Sequence, residues 1–266
     1  MDQDLEHMIA ALKPAGFVAR TAAIDLLERH AQHLPLHAQE SLQRWEQQNE
    51  RVLRRLRRRI REGRYTRDGL FRAFTRCAAP APDARHYDAL DLLFAGLIDA
   101  GELPEEEVPR EPEMVAYQPT PSRAILALLP HVAQDDVFYD LGSGLGRVVI
   151  LVALLRGARA RGVELEPGFC EYAARCAARV GVRNVEFSQA DAREAELADG
   201  TVFFLYTPFR GALLQQVLAH LQLLAARRSL RVCTFGPCTL EVARSAWLRP
   251  LGAADDPNEL AVFQSL

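Results

Sequence analysis

The chain has 266 residues, of which 49% are hydrophobic and 25% charged, and its formal net charge is −3. These are the proportions of an ordinary globular protein, long enough for one large domain or a medium one with a smaller companion. They exclude a chain that is basic overall, and dividing it at Arg110 leaves neither half a basic nucleic-acid domain.

No apolar run approaches the ~20 residues needed to span a bilayer. The start, Met1-Asp2-Gln3-Asp4-Leu5-Glu6, is acidic and has no signal-peptide pattern, so a cytoplasmic protein is expected. Cys77, Cys170, Cys176, Cys233 and Cys238 are odd in number and contain no C-x-x-C pair. That set predicts reduced, partly buried thiols and neither a disulfide framework nor a metal site.

From Asp2 to about Arg110 the pattern is helical. Helices are predicted over Thr21 to Ala31, Ala38 to Glu62, Arg67 to Cys77 and His86 to Ala100, with Pro35, Gly63 and Ala79-Pro80-Ala81-Pro82 as interruptions. The set reads as an N-terminal helical domain, residues 1–110. Its longest helix carries Arg51, Arg54, Arg55, Arg57, Arg58, Arg59 and Arg61. Such a run is either a solvated face paired with nearby acids, including Glu105-Glu106-Glu107, or a contact for an acidic partner. It has no interleaved aromatics for base stacking.

Glu102 to Pro112 is rich in proline and glutamate and marks a linker into the second unit, residues 111–266. The strip Tyr117-Gln118-Pro119-Thr120-Pro121 follows, with prolines that fix an extended or turn geometry. Thr120 is placed to cap a helix running from Ser122 to about His131, and the strip is placed to act as a lid.

From Val137 onward strands and helices alternate. Strands are predicted over Val137 to Leu141, Ala160 to Leu165, Val185 to Gln189, Thr201 to Tyr206, Leu230 to Phe235 and Leu260 to Ser265. The helices between them are Gly146 to Arg156, Gly168 to Val180, Pro208 to Ala226 and Leu240 to Trp247. Alternation of this kind means βαβ crossovers, a mostly parallel doubly wound sheet, and ligands at the carboxyl ends of the strands near the switch point. His131 and His220 fall outside that site and are read as structural.

The first strand runs into Asp140-Leu141-Gly142-Ser143-Gly144-Leu145-Gly146. Glycines on alternate positions let the backbone take φ > 0 and let a ligand lie against the main chain, with the amides of the next helix pointing into the gap. The spacing G-x-G-x-G departs from the dinucleotide fingerprint G-x-G-x-x-G. Glu164 ends the second strand about 20 residues beyond the glycines, where an acid can accept ribose hydroxyls. Asp191 follows the third strand, within reach of an adenine edge.

Taken together, Asp140 to Gly146, Gly162-Val163-Glu164, Gln189-Ala190-Asp191 and Phe204-Leu205-Tyr206-Thr207-Pro208-Phe209 resemble the class I S-adenosylmethionine-dependent methyltransferases over roughly residues 115–266. The Asp-Leu-Gly-Ser-Gly form and the Tyr117 to Pro121 lead-in are similar to a subset with small bacterial and lysine-type members. The resemblance implies a seven-stranded Rossmann-like sheet and S-adenosylmethionine as cofactor. It places Asp140, Gly142, Ser143, Gly144 and Gly146 by the methionine part, Glu164 on the ribose and Asp191 by the adenine, with Tyr117 and Thr120 over the amino-acid end. Thr207-Pro208-Phe209 lacks the amide or acid and the second proline of enzymes that methylate exocyclic amines, so a DNA base is disfavoured. Tyr206, Thr207 and Phe209 are the residues expected to shape the acceptor channel.

The expected reaction is methyl transfer to a protein side chain, lysine being one candidate, or to a small molecule. Two alternatives stand beside it. One is a nicotinamide-dinucleotide-binding oxidoreductase, disfavoured by the glycine spacing, and the other is a catalytically silent cofactor-binding subunit that docks through its arginine-rich helix.

Overall fold

The computed structural model describes residues 16–28, 35–77 and 89–266. The Ala79 to Pro82 interruption lies outside these residues, as do the end of the Thr21 to Ala31 helix and the start of the His86 to Ala100 helix. Helices α1 (Phe17–Glu28), α2 (Leu36–Arg61), α3 (Arg67–Cys77) and α4 (Ala89–Ile98) precede α5 (Ser122–Leu128), which tightens into a 3₁₀ turn at Leu129–His131.

The alternating part then runs β1 (Val137–Leu141), α6 (Arg147–Arg156), β2 (Arg159–Glu164), α7 (Pro167–Val180), β3 (Val185–Gln189), β4 (Val202–Tyr206), α8 (Gly211–Ala225), β5 (Arg231–Phe235), α9 (Cys238–Val242), β6 (Leu248–Pro250) and β7 (Ala261–Ser265). The strands form one seven-stranded sheet in the order β3-β2-β1-β4-β5-β7-β6. Strands β1 to β5 pair in parallel, whereas β7 runs antiparallel to both β5 and β6. The order reverses between β1 and β4, which opens a crevice at their carboxyl ends.

Side chains alternate across a strand, so β1 feeds both faces of the sheet. Phe138 packs toward α5, α6 and α7, while Val137, Tyr139 and Leu141 pack toward α8. Helix α6, Arg-Val-Val-Ile-Leu-Val-Ala-Leu-Leu-Arg, is buried almost all round because it lies between the sheet and the N-terminal helices. Leu53, Leu70, Phe74, Phe94 and Leu97 belong to the same apolar cluster as Phe138, Ile150 and Tyr172. The N-terminal helices therefore extend the core on that face of the sheet.

Polar contacts join the same two parts. The Ser122 amide at the start of α5 donates to the buried Asp91 carboxylate of α4 at 2.6 Å. Thr120, the expected cap, makes no capping bond; Pro121 occupies the cap position and the acid arrives from another helix. Arg57 points inward and donates to the Gly96 carbonyl and, at 2.8 Å, to Glu50. Of the other arginines on α2, Arg54 pairs with Glu50 of the same helix at 3.7 Å and Arg58 with Glu62, just past its end, at 3.9 Å; Glu106 of the expected acidic run pairs instead with Arg110.

Several boundaries differ from the sequence expectation, among them the start of α1 at Phe17 and not Thr21, and for two of them the reason is plain. Helix α8 begins at Gly211, not Pro208, because the Pro208 carbonyl accepts the Val115 amide at 3.0 Å and Phe209 bridges Met114, holding residues 208–210 extended. Helix α9 stops at Val242, well short of Trp247, because the chain turns through Ser245 into β6. The sequence signal for β6 was too short to see: three residues ending in Pro250, which a sheet tolerates at its edge.

Phe94 is fully buried and meets Phe74 edge to face with ring centroids 5.2 Å apart. Phe94→Ala is expected to cost about 3–5 kcal/mol. Urea denaturation checks this, with a lowered midpoint in a single transition expected because the N-terminal helices and the sheet share one core. A separate early transition that leaves the sheet's midpoint unmoved would contradict it.

Candidate functional site

A cavity of about 810 Å³ opens at the carboxyl ends of β1 to β5. Tyr117, Thr120, Asp140, Gly142, Ser143, Gly144, Glu164, Asp191, Tyr206, Thr207 and Phe209 all lie on its wall. Gly146 does not. It is the left-handed residue preceding α6, with φ of 76°, and a Cβ there would stand 2.6 Å from both Ala173 Cβ and Phe187 Cε1. Its small size serves helix–sheet packing.

The corner after β1 is held from β2. The amides of Gly142 and Ser143 both donate to the Val163 carbonyl, at 2.8 and 3.0 Å, and Gly146 N–H closes the turn on the Ser143 carbonyl at 2.9 Å. Gly144 takes φ of 51°, and a Cβ on it would meet the Tyr117 ring at 2.4 Å. The aromatic ring of the lead-in strip thus rests on bare backbone, as the glycine permits. Ser143 Oγ is buried and has no hydrogen-bond partner.

Two carboxylates meet beneath this corner. Glu164 Oε2 accepts the Gly144 amide at 2.7 Å, and Oε1 accepts the amides of Leu165 and Glu166 at 2.7 and 3.1 Å. Three of the roughly four acceptor sites of a carboxylate are therefore filled, leaving one toward the cavity. Burial raises the Glu164 pKa while the amide donors pull it back. Asp140 is fully enclosed, and burial first and the Glu164 charge second push its pKa well above the usual carboxylate range. Both influences act upward. A cation brought into the cavity would relieve them.

Asp191 is engaged differently. Both its oxygens are bridged by the Arg193 guanidinium, with Nε 2.9 and 3.0 Å away and Nη2 at 2.6 Å, and the Arg193 amide donates at 2.8 Å. These bonds hold its pKa below the ordinary value. Arg193 Nη2 also reaches Glu111 at 2.6 Å. Asp191 is thus tied to the strip that crosses the cavity.

That strip, residues 106–121, is clamped at two further points. Glu166 accepts the amides of Glu107 and Val108 at 2.9 and 3.0 Å. Glu113 accepts those of Ala212 and Leu213, at 3.0 and 2.7 Å, at the N-terminus of α8, where a carboxylate also faces the positive end of the helix.

On the far side, Thr207 takes φ of 40°, unusual for a β-branched residue. Its hydroxyl accepts the Cys238 amide and donates to the Phe235 carbonyl, both at 3.2 Å, so it ties the end of β4 to that of β5. Phe209 is buried in the core beside α8 and shows the cavity only part of its ring. Tyr206 lies against Phe235 with centroids 5.3 Å apart, and the Arg123 guanidinium sits 5.6 Å over the Phe235 ring.

Arg193, Glu111, Glu166, Arg123 and Phe235 escaped the sequence reading. Only Arg193 and Glu166, each two residues past a nominated acid, had a local signal.

The model of the methyltransferase domain family matches residues 138–231. Among solved structures, the chain is 31% identical to an RNA methyltransferase from Salinibacter ruber in complex with S-adenosylhomocysteine, covering 56% of this chain and 92% of that one, with a TM-score of 0.42. It is 17% identical to a precorrin-6y C5,15-methyltransferase from Geobacter metallireducens, over 57% and 92%, TM-score 0.42. It is 23% identical to an S-adenosylmethionine-dependent methyltransferase from Thiobacillus denitrificans with S-adenosylhomocysteine, over 47% and 56%, TM-score 0.36. At these TM-scores the superpositions add no weight to the sequence matches. No curated protein matches the chain. Residues 138–231, which span β1 and the glycine corner, form a methyltransferase domain, and the chain is an S-adenosylmethionine-dependent methyltransferase.

Proposed function

We propose that residues 111–266 bind S-adenosylmethionine across the ends of β1 to β3, with the helices of 1–110 built onto that unit, and that the acceptor approaches over β4 and β5. The buried Asp140 and the half-buried Glu164 beside it carry this reading: two carboxylates with raised pKa and an unsatisfied Ser143 hydroxyl suit a ligand that is cationic and rich in donors. In the proposed arrangement Asp140, Gly142, Ser143 and Gly144 face the methionine part, Glu164 offers its remaining acceptor site to the ribose, and Asp191 lies by the adenine. Tyr117 and Thr120 cover the amino-acid end, and Tyr206, Thr207 and Phe209 shape the acceptor side.

A cofactor held there would supply an activated methyl group on sulfonium. The chain's part is alignment and exclusion of water, and holding donor and acceptor at roughly 3 Å can supply ~7–11 kcal/mol of barrier lowering. The strained Thr207 turn fixes the floor on which the acceptor rests. Its hydroxyl is committed on both sides to backbone groups, so it positions and does not exchange protons. The acceptor is a small molecule or a protein side chain. Labelled S-adenosylmethionine in a cell lysate, sorted into protein, nucleic acid and small molecules, tests this; label in nucleic acid alone rejects it, and no transfer at all favours a silent binding subunit.

Cofactor affinity is expected to rise with pH as Asp140 and Glu164 lose their protons, because a protonated pair cannot balance a sulfonium. Asp140→Asn should weaken binding roughly ten- to a hundredfold, equivalent to the ~1.5–3 kcal/mol of a hydrogen bond to a charged group. The sign for the unliganded protein is opposite. A carboxyl whose pKa is raised on folding costs stability as pH climbs from its ordinary value through the raised one, so Asp140→Asn should be more stable than the parent at neutral pH. Calorimetric titration and thermal melts over a pH series read both. An affinity independent of pH and of residue 140 contradicts the assignment.

Arg193 and Glu111 latch the strip shut over the proposed cofactor. Arg193→Met is expected to raise the cofactor Kd about tenfold, through faster dissociation, and to speed amide exchange over residues 107–116. Exchange unchanged in the variant would show that the latch does not hold the strip.

The exposed face of α2 is proposed as a docking surface for an acidic partner. At 100° per residue Arg51, Arg54, Arg55, Arg58 and Arg61 share one side. Changing Arg51, Arg55 and Arg58 together to serine should abolish co-purification of partners while leaving cofactor affinity unchanged. Retained association would mark the arginines as solvated surface.

A further inference from the structure

The two edges of the sheet are guarded differently. At one end β6 is three residues long and finishes in Pro250, so it offers another chain little to pair with. At the other end β3 is a regular five-residue strand, Val-Glu-Phe-Ser-Gln, with no proline and a single charge. Its inner side is fixed by β2: the Asn184 carbonyl accepts the Ala160 amide and the Ala190 amide donates to the Glu164 carbonyl, both at 3.0 Å. Main-chain groups alternate sides along a strand. The even-numbered residues therefore bond β2, while Val185, Phe187 and Gln189 aim their N–H and C=O groups away from the sheet. Those groups have no hydrogen-bond partner among the described residues.

Beside this edge lies a groove of about 650 Å³ between β3, the end of α7 and Arg61, the last residue of α2. Its apolar lining is Ala174, Ala177, Ala178, Val182, Val185 and Phe187. The alanines keep the α7 wall short, which leaves room for side chains of a strand laid along β3. The charged residues of the groove are Arg61, Arg183 and Glu186. Glu186 points to the opposite face of the strand from Val185 and Phe187 and is held by Arg161 at 3.1 Å. Arg61 and Arg183 are exposed, and their guanidinium groups have no ion pair or hydrogen bond among the described residues. The Arg61 stem is seated on the turn after α7: Gly181 has φ of 86°, and a Cβ there would stand 2.6 Å from Arg61 Cγ.

An open strand edge selects an extended chain, and an uncompensated positive rim selects an acidic one. A second copy of this chain meets the first condition and fails the second. Paired antiparallel about Phe187, it would set position 183 against position 191, and the Asp191 carboxylate is already bridged by Arg193, as Glu186 is by Arg161. An acid from a different protein would meet Arg61 and Arg183 without breaking an existing pair.

We infer that β3 is a docking edge that takes an extended, acid-bearing segment of a partner protein as an additional strand, its main chain on Val185, Phe187 and Gln189 and its acids on Arg61 and Arg183. This goes beyond the methyl-transfer reading and does not depend on it. It shares only Arg61 with the face proposed on α2.

The probe is a short capped peptide alternating glutamate with valine, titrated against the full chain by fluorescence anisotropy. Three controls accompany it: the same peptide with lysine for glutamate, the glutamate peptide N-methylated at alternate residues, and single-stranded oligothymidylate. The glutamate peptide should bind at least about tenfold more tightly than each control and should slow exchange of the Val185, Phe187 and Gln189 amides. Arg61→Ser with Arg183→Ser should erase the preference over the lysine peptide. Gln189→Pro removes an outward N–H and no bond to β2, and should weaken binding roughly three- to tenfold. The serine variant at Arg51, Arg55 and Arg58 spares Arg61 and should bind the peptide as the parent does, which separates this edge from the face on α2.

The peptide controls decide the matter even where a variant does not fold. Equal binding of the lysine or the N-methylated peptide overturns the inference, as does slow exchange of the three amides in the chain alone. Tighter binding of the oligothymidylate would assign the arginines to nucleic acid, and a dimer that Gln189→Pro dissolves would assign the edge to a second copy.

Discussion

The bond from the Gly144 amide to the Glu164 carboxylate is the contact on which the rest of the site depends. It ties the tip of β2 to the turn after β1, and it forms only because Gly144 can adopt φ of 51° and carry no Cβ against Tyr117. The same carboxylate gathers the first amides beyond β2, and with them the entry to α7. A buried acid without a cation is costly unless amides satisfy it, and here they do so only in part. The residual cost is borne by Asp140, whose oxygens are enclosed and whose only charged influence is another acid. Folded domains keep such a pair where a ligand relieves it.

The parts outside the sheet act on this centre through the strip. Asp91 of α4 supplies the amide acceptor at the start of α5, directly after the strip ends, and the N-terminal helices share the apolar cluster beneath β1. Three carboxylates, Glu111, Glu113 and Glu166, fasten the strip along its length, and each bond is polar. Such fastenings open at far lower cost than a core packed like that around α6. A cover that must admit a ligand is better held this way than by buried apolar surface.

Much of the sheet was legible from sequence because its signals are local. The β-favouring runs of β1 and β4 and the one-sided pattern of α7 match their observed bounds to within a residue. The glycine turn was equally plain, though Gly146 lies off the cavity wall; a spacing pattern cannot tell a residue on that wall from one that meets Ala173 and Phe187. What was hidden depends on residues far apart in sequence. The Arg193 bridge needs Glu111, some eighty positions earlier, and the Arg123 and Phe235 stack joins α5 to β5. The expected Thr120 cap failed for the same reason, since the acceptor that replaced it stands on another helix.

Thr207 shows how backbone strain shapes the cavity wall. A threonine at φ of 40° costs on the order of 1–3 kcal/mol relative to an unstrained residue. The geometry persists because Thr207 Oγ1 joins Phe235 O to Cys238 N across the tip of β5, and because Gly236 leaves room, its Cβ position being only 2.4 Å from that oxygen. The turn carries Tyr206 on one side and Pro208 on the other, and the Pro208 carbonyl anchors Val115 of the strip. One strained residue therefore sets both the aromatic wall opposite the glycine corner and the landing point of the cover. Relaxing it would move the two together, so the width of the cavity between the glycine corner and the aromatic wall depends on this turn as much as on any side chain that lines it.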